Sequence, residues 1–231
     1  MNRPDFACDD LSRLPSGDLR FLLEQMPRAG HGYREIAGAV EQMPDTLESM
    51  LTSDYVFQLI RDRQRTILEL SPFLVFGVLL RRSLGAPRSR IERRVVNYLA
   101  NLLTLFVRTD RVFRVAPDAT QWRAYVVDLI RDLTESDPRK EFLTCAHIGN
   151  YSLWLTGLQS GWLEHRHRYH RRAVNQETYA DYGRAYYDRA SRHRMARELR
   201  LDDVFLRLAT HFDHYRRGLQ HMQRELPIMN G

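Results

Sequence analysis

The stretch Ser89–Arg108, SRIERRVVNYLANLLTLFVR, decides the fold class. Ser89 with Glu92 three residues on is the capping-box pattern that opens a helix, a hydroxyl at the cap and a carboxylate turned back toward it. Val95, Leu99, Leu102 and Phe106 then recur along one helical face. Outward from this helix the punctuation is of the same kind. Upstream, Ser71 before Pro72 is a cap followed by a proline at the first helical position, and Gly85 and Pro87 close that helix. Downstream, Asp118 opens a helix to Leu133. Asp137-Pro138 opens another, carrying the apolar stretch around Leu153, with Gly157 and Gly161 expected at its end and in a short turn. Alternating strand patterns between tight turns are nearly absent, so the chain is expected to be all-α.

Leu201, Phe205, Leu208, Phe212, Tyr215, Leu219 and Met222 follow a strict alternation of four- and three-residue steps and predict one last helix with a packing seam, read as an internal bundle face. The expected architecture is a single bundle of about seven major helices over residues 54–231, with an acidic region, 1–53, of short helices packed on it. The helices around Val95 and His147 are apolar around most of their circumference, which places them near the centre.

The 231 residues suffice for a real hydrophobic core, and 43% hydrophobic with 28% charged residues is the composition of a folded soluble protein. Lys140 is the only lysine, and the charge is unevenly spread: residues 1–60 carry a net −5, residues 81–94 a net +5, and residues 161–200 again +5. Blocks of this kind steer charged partners but say nothing of chemistry. Cys8 and Cys145 form no CxxC, so neither a zinc framework nor a disulfide scaffold is indicated. The apolar runs Pro72–Leu80 and Val95–Val107 are too short to span a bilayer, and MNRPDFACDD has no secretory core. No membrane span and a cytoplasmic location are the expectations.

Three stretches resemble a family of all-helical bacterial proteins with no assigned activity: Ser71–Arg82 (SPFLVFGVLLRR), His147–Leu158 (HIGNYSLWLTGL) and Tyr179–Tyr187. The resemblance implies an all-helical bacterial protein. It carries over no catalytic residue.

Several groups are candidates for chemistry. On the His147 helix, Cys145, Gly149, Ser152 and Thr156 share a narrow face of small groups, while His147, Tyr151, Trp154 and Leu158 lie opposite. The small face suits close approach of another helix. The competing reading is a ligand pocket formed by Cys145, His147, Tyr151, Trp154, Tyr182 and Tyr186, in which Cys145 and His147 point too far apart to act as nucleophile and base together. Tyr179, Tyr182, Gly183, Tyr186 and Ala190 share a face that fits a wet bundle interface or a stacking surface. Glu164, His167 and His170 have metal-ligand spacing, but the interleaved Arg166, Arg168, Arg171 and Arg172 oppose a cation and favour a solvated basic segment. With Arg184, Arg189 and Arg192 these arginines would form a patch for an anionic partner. Residues 32–51 have the apolar spacing of a helix-turn-helix, yet Asp45 and Glu48 give its second helix the wrong sign for DNA.

Phosphate loops, nucleophile elbows and zinc-protease motifs are absent from the sequence. The reading is a non-enzymatic helical binding or interaction protein with no cofactor. A protein partner, self-association or pairing of the acidic front with the basic segment is favoured over nucleic acid. The alternatives are a metal, haem or small-ligand site near His147 and a nucleic-acid surface on residues 161–200.

Overall fold

The computed structural model describes residues 3–24, 44–61, 70–115, 126–133, 137–169 and 175–225, and every regular element among them is a helix. A 3-10 turn at Leu11–Arg13 precedes α1 (Ser16–Glu24), α2 (Pro44–Leu51) and α3 (Asp54–Arg61). Then come α4 (Pro72–Leu84), α5 (Arg90–Phe106), α6 (Thr109–Val112) and α7 (Val126–Asp132). The chain continues with α8 (Pro138–Leu158), α9 (Ser160–Tyr169), α10 (Gln176–Arg192), α11 (Arg194–Glu198), α12 (Asp202–Thr210) and α13 (Phe212–Glu225). The chain is all-α in its described residues, as the capping signals predict. Among the described residues there are more helices than the seven major ones expected, several of them short, and a single seven-helix bundle is not confirmed. None of them is long and apolar enough to cross a membrane.

The predicted caps form. Ser71 Oγ accepts from the Leu74 amide, and Gly85 ends α4 at φ 85°. Ser89 Oγ accepts from Glu92 N–H, and the Glu92 carboxylate reaches one residue further back than a capping box requires, to Arg88 N–H at 2.8 Å. Asp137 accepts from both Arg139 and Lys140 N–H ahead of α8. The start expected at Asp118 lies outside the described residues.

Six helices pack in a closed circuit: α8 on α10, α10 on α12, α12 on α5, α5 on α4, α4 on α13, and α13 back on α8. From Thr144 to Leu158 every residue of α8 but Trp154 is buried, so this helix has no solvent face over four turns. Missing side chains allow this. A Cβ on Gly149 would lie 2.6 Å from the Tyr187 ring, and one on Gly183 2.3 Å from the Phe212 ring. The small face of α8 thus receives α10, and the face of α10 that bears Gly183 receives α13. Gly157, expected as a stop signal, is instead inside α8 against Leu219, and the turn is the single residue Gln159 before α9.

Tyr98 of α5 and Tyr187 of α10 both donate to Asn150 Oδ1 of α8, at 2.7 and 2.8 Å. The two phenols are fully buried, and that burial raises both above the ordinary tyrosine range. Phe205 of α12 packs on both rings, at 5.6 and 5.8 Å between centroids. The bundle centre is therefore a polar node inside an aromatic shell, with both phenol donors matched to one amide oxygen.

The seam Leu201–Met222 is wholly buried within the chain, but it runs over two helices rather than one. The break falls at His211, where Thr210 Oγ1 bonds the Leu206 carbonyl and lies 2.9 Å from the His211 ring, local contacts that compete with helix propagation. Phe6, Leu22, Leu47 and Leu51 of the first 53 residues belong to the same hydrophobic core as the bundle.

Close approach at Gly183 makes a direct prediction. Gly183→Ala lowers unfolding stability by about 1–3 kcal/mol through overpacking. Gly161→Ala, where an added Cβ meets open space in the first turn of α9, changes it by no more than about 0.5 kcal/mol. Thermal and urea unfolding of the two variants checks the contrast.

Candidate functional site

The six residues of the candidate pocket divide into two groups, on opposite sides of α8. Cys145 neighbours Tyr186, Arg189 and Glu141 at the α8–α10 seam, with Tyr182 next to Tyr186. Burial pushes the Cys145 thiol up to about 11, so it is a thiol at neutral pH. His147, Tyr151 and Trp154 face the other way, toward α5 and α6.

His147 sits in an aromatic enclosure. Its ring is 6.3 Å from Phe106 and 6.4 Å from Tyr151, Trp154 is 5.9 Å from both of those rings, and Phe113 is 6.4 Å from Tyr151. Burial, and secondarily the charge of Arg111, lowers the imidazole pKa to about 3, with the bond to the Val112 backbone opposing them. The ring is thus neutral, with one N–H on the Val112 carbonyl and a buried Nε2 that has no partner. Arg111 is itself buried and held by both oxygens of Asp5, at 2.8 and 2.9 Å.

Of the metal candidates, Glu164 is exposed on α9; the His167 side chain and His170 lie outside the described residues. Among the described residues no three His, Cys, Asp or Glu side chains converge. Of the anionic-partner patch, the Arg166 and Arg168 side chains, Arg171 and Arg172 lie outside the described residues. Arg184 pairs with Glu177, Asp181 and Asp213, Arg189 with Glu141, and Arg192 with Asp188. The acidic front pairs elsewhere: Asp5 with Arg111, Asp9 and Asp45 with Arg94 and Arg93, Glu48 with Arg81, and Asp54 with Arg82. Asp45 and Glu48, the acids of the would-be recognition helix, are therefore used inside the fold.

These pairs fasten residues 3–14 and α2 against α5 and leave a cleft of about 1070 Å³ between them. Arg90, Arg93, Arg94 and Asn97, which share one face of α5, line the cleft. Asp9, Asp10 and Leu14 of the N-terminal segment line it too, together with the buried Leu19 and Leu47. The Glu198–Arg200 turn completes the lining. That turn ends α11 with Leu201 N–H on the Ala196 carbonyl and Arg200 N–H on the Arg197 carbonyl, the paired bonds of a Schellman motif. Arg200 occupies its left-handed position at φ 58°, where glycine is the usual residue. The cleft has no signature in the sequence, because its walls come from segments about a hundred residues apart; the spacing of Arg90, Arg93, Arg94 and Asn97 on one helix was the available signal.

Comparison with family models, curated proteins and solved structures finds no match to the chain. The site therefore rests on its own geometry.

Two outcomes follow from these surroundings. The folded-state pKa of His147 lies below its ordinary value, so its contribution is intact above about pH 6.5 and is lost as pH falls toward 3. The slope it adds reaches at most about 1.4 kcal/mol per pH unit, and His147→Phe flattens the stability profile between pH 6.5 and 4 by that component, read by urea unfolding at each pH. Arg200→Gly relieves the left-handed backbone at about 1–2 kcal/mol and gives back about 0.4–1 kcal/mol in chain entropy. The expected result is a stability gain of about 0–1.6 kcal/mol, measured by thermal unfolding.

Proposed function

We propose that the protein is a non-enzymatic binding protein and that its ligand occupies the cleft between residues 9–14, α5 and the Arg200 turn. The observation that carries this reading is the cleft itself, which at about 1070 Å³ has room for a small molecule and is lined by both apolar and charged residues. The unreactive state of the obvious nucleophile and base supports binding over catalysis. Burial raises both cysteine thiols, and His147 is held neutral. Pairing of the acidic front with Arg81–Arg111 of the same chain supports an internal role for those carboxylates ahead of contact with a second copy or an external basic partner.

A second reading places an apolar or aromatic ligand with one hydrogen-bond donor at His147, on the strength of the unpartnered Nε2 in its aromatic enclosure.

A thermal-shift screen of small molecules against the full chain tests both readings. A compound present at about a hundred times its Kd stabilises by about 2.7 kcal/mol. Leu199→Trp fills the cleft mouth and should abolish the shift while His147→Phe retains it. A shift kept by Leu199→Trp and lost in His147→Phe would assign the ligand to the histidine site instead.

A further inference from the structure

We infer that the cleft takes an anion carrying an apolar body, an inference that rests on the cleft being the ligand site. The argument is an inventory of donors and acceptors. Each carboxylate on the cleft wall already has donors from the chain: Asp9 from Arg94 and Arg3, Glu48 from Arg81, Asp10 from Ser12 N–H and Cys8, and Glu198 from Arg194. The donors are not all used. Among the described residues the guanidinium groups of Arg90 and Arg200 have neither an ion pair nor a hydrogen bond, and both residues are exposed and line the cleft.

Deeper in, Asn97 is 6% exposed and its Oδ1 accepts from Arg81 Nη2 at 2.9 Å. That bond fixes which end of the amide is oxygen, since a flipped amide would set NH2 against a guanidinium. Asn97 also lines the cleft, and its NH2 has no acceptor among the described residues. Two unpaired guanidinium groups and one amide NH2, among carboxylates that already accept from the chain, favour a ligand rich in acceptors, and two of the three donors are cationic.

The remaining surface fixes the other half of the ligand. Leu14, Leu47 and Leu199 present apolar surface below and beside these donors. Guanidinium groups suit the oxygens of a phosphate or carboxylate, and the leucines suit an alkyl or aryl body. A free inorganic anion would satisfy only the first.

The test is isothermal titration of the full chain with hexyl phosphate, hexanol, hexyltrimethylammonium and inorganic phosphate. Hexyl phosphate should bind at least about tenfold more tightly than hexanol or inorganic phosphate, with the advantage shrinking as salt rises. The cation should not bind. The double variant Arg90→Gln/Arg200→Gln, at two exposed positions that leave the core intact, should reduce hexyl phosphate to the affinity of hexanol. Equal affinity for hexanol and hexyl phosphate, unchanged in the double variant and lost in Leu199→Trp, would overturn the anionic assignment and leave the cleft as the ligand site. Inorganic phosphate matching hexyl phosphate would overturn the apolar half. Failure of every probe to bind, or binding untouched by Leu199→Trp, would overturn the cleft reading and this inference with it.

Discussion

The fold depends on one constraint: α8 is enclosed by neighbouring helices over four turns, and two of them must come close. Close approach requires glycine at the crossings, where the Tyr187 ring stands over Gly149 and the Phe212 ring over Gly183. An enclosed helix must also find partners for the polar groups it carries into the interior, and on α8 this holds for Asn150 but not for His147 Nε2 or Ser152 Oγ, which have none among the described residues. Asn150 meets this by accepting from two tyrosines on different helices, which ties α5 and α10 to α8. The Thr156 carbonyl near the end of α8 receives side-chain amides from Gln176 and Gln220. Packing and polar satisfaction thus select the same helix arrangement, a consistency that distinguishes one native state from many compact ones.

Charge pairing does for the N-terminal region what glycine does for the bundle. Arg81 is buried with its side chain only 1% exposed, and its guanidinium is shared among Glu48, Asn97 and the Gly77 carbonyl. Desolvating an arginine is costly, and this coordination offsets the cost by using nearly every donor. The same logic fixes Asp9 to Arg94 and Asp5 to Arg111. The cleft is a by-product of this fastening, since the pairs hold two surfaces together at one level and keep them apart at another.

The cleft and the histidine are linked through the chain. Asp5 clamps Arg111, the charge of Arg111 helps keep His147 neutral, and the adjacent Val112 carbonyl accepts a hydrogen bond from its ring N–H. The segment that clamps Arg111 continues into the cleft wall at Asp9. One short stretch near the N-terminus therefore contributes to both environments.

The amino-acid sequence determined what depends on near neighbours. Caps at Ser71, Ser89 and Asp137, the proline starts, the Gly85 stop and the split of α8 into small and bulky faces were all legible, because each is settled within a turn or two of backbone. Even there, periodicity alone did not locate the break at His211, since a seam that bends between two helices keeps the same spacing as one that does not. Nor did it separate Gly157 as a packing residue from Gly157 as a stop, because the side chain it must admit, Leu219, is 62 positions away. Net charges showed an acidic front and two basic blocks but not their pairing, which followed distance in space rather than block charge. Only the tertiary structure decided that Arg90, Arg200 and Asn97 share one cleft, that His147 loses its proton, and that Arg184 and Arg189 are already engaged. Helix formation is governed by local hydrogen bonds, whereas pKa, ion pairing and cavities depend on which distant groups share the same low-dielectric space.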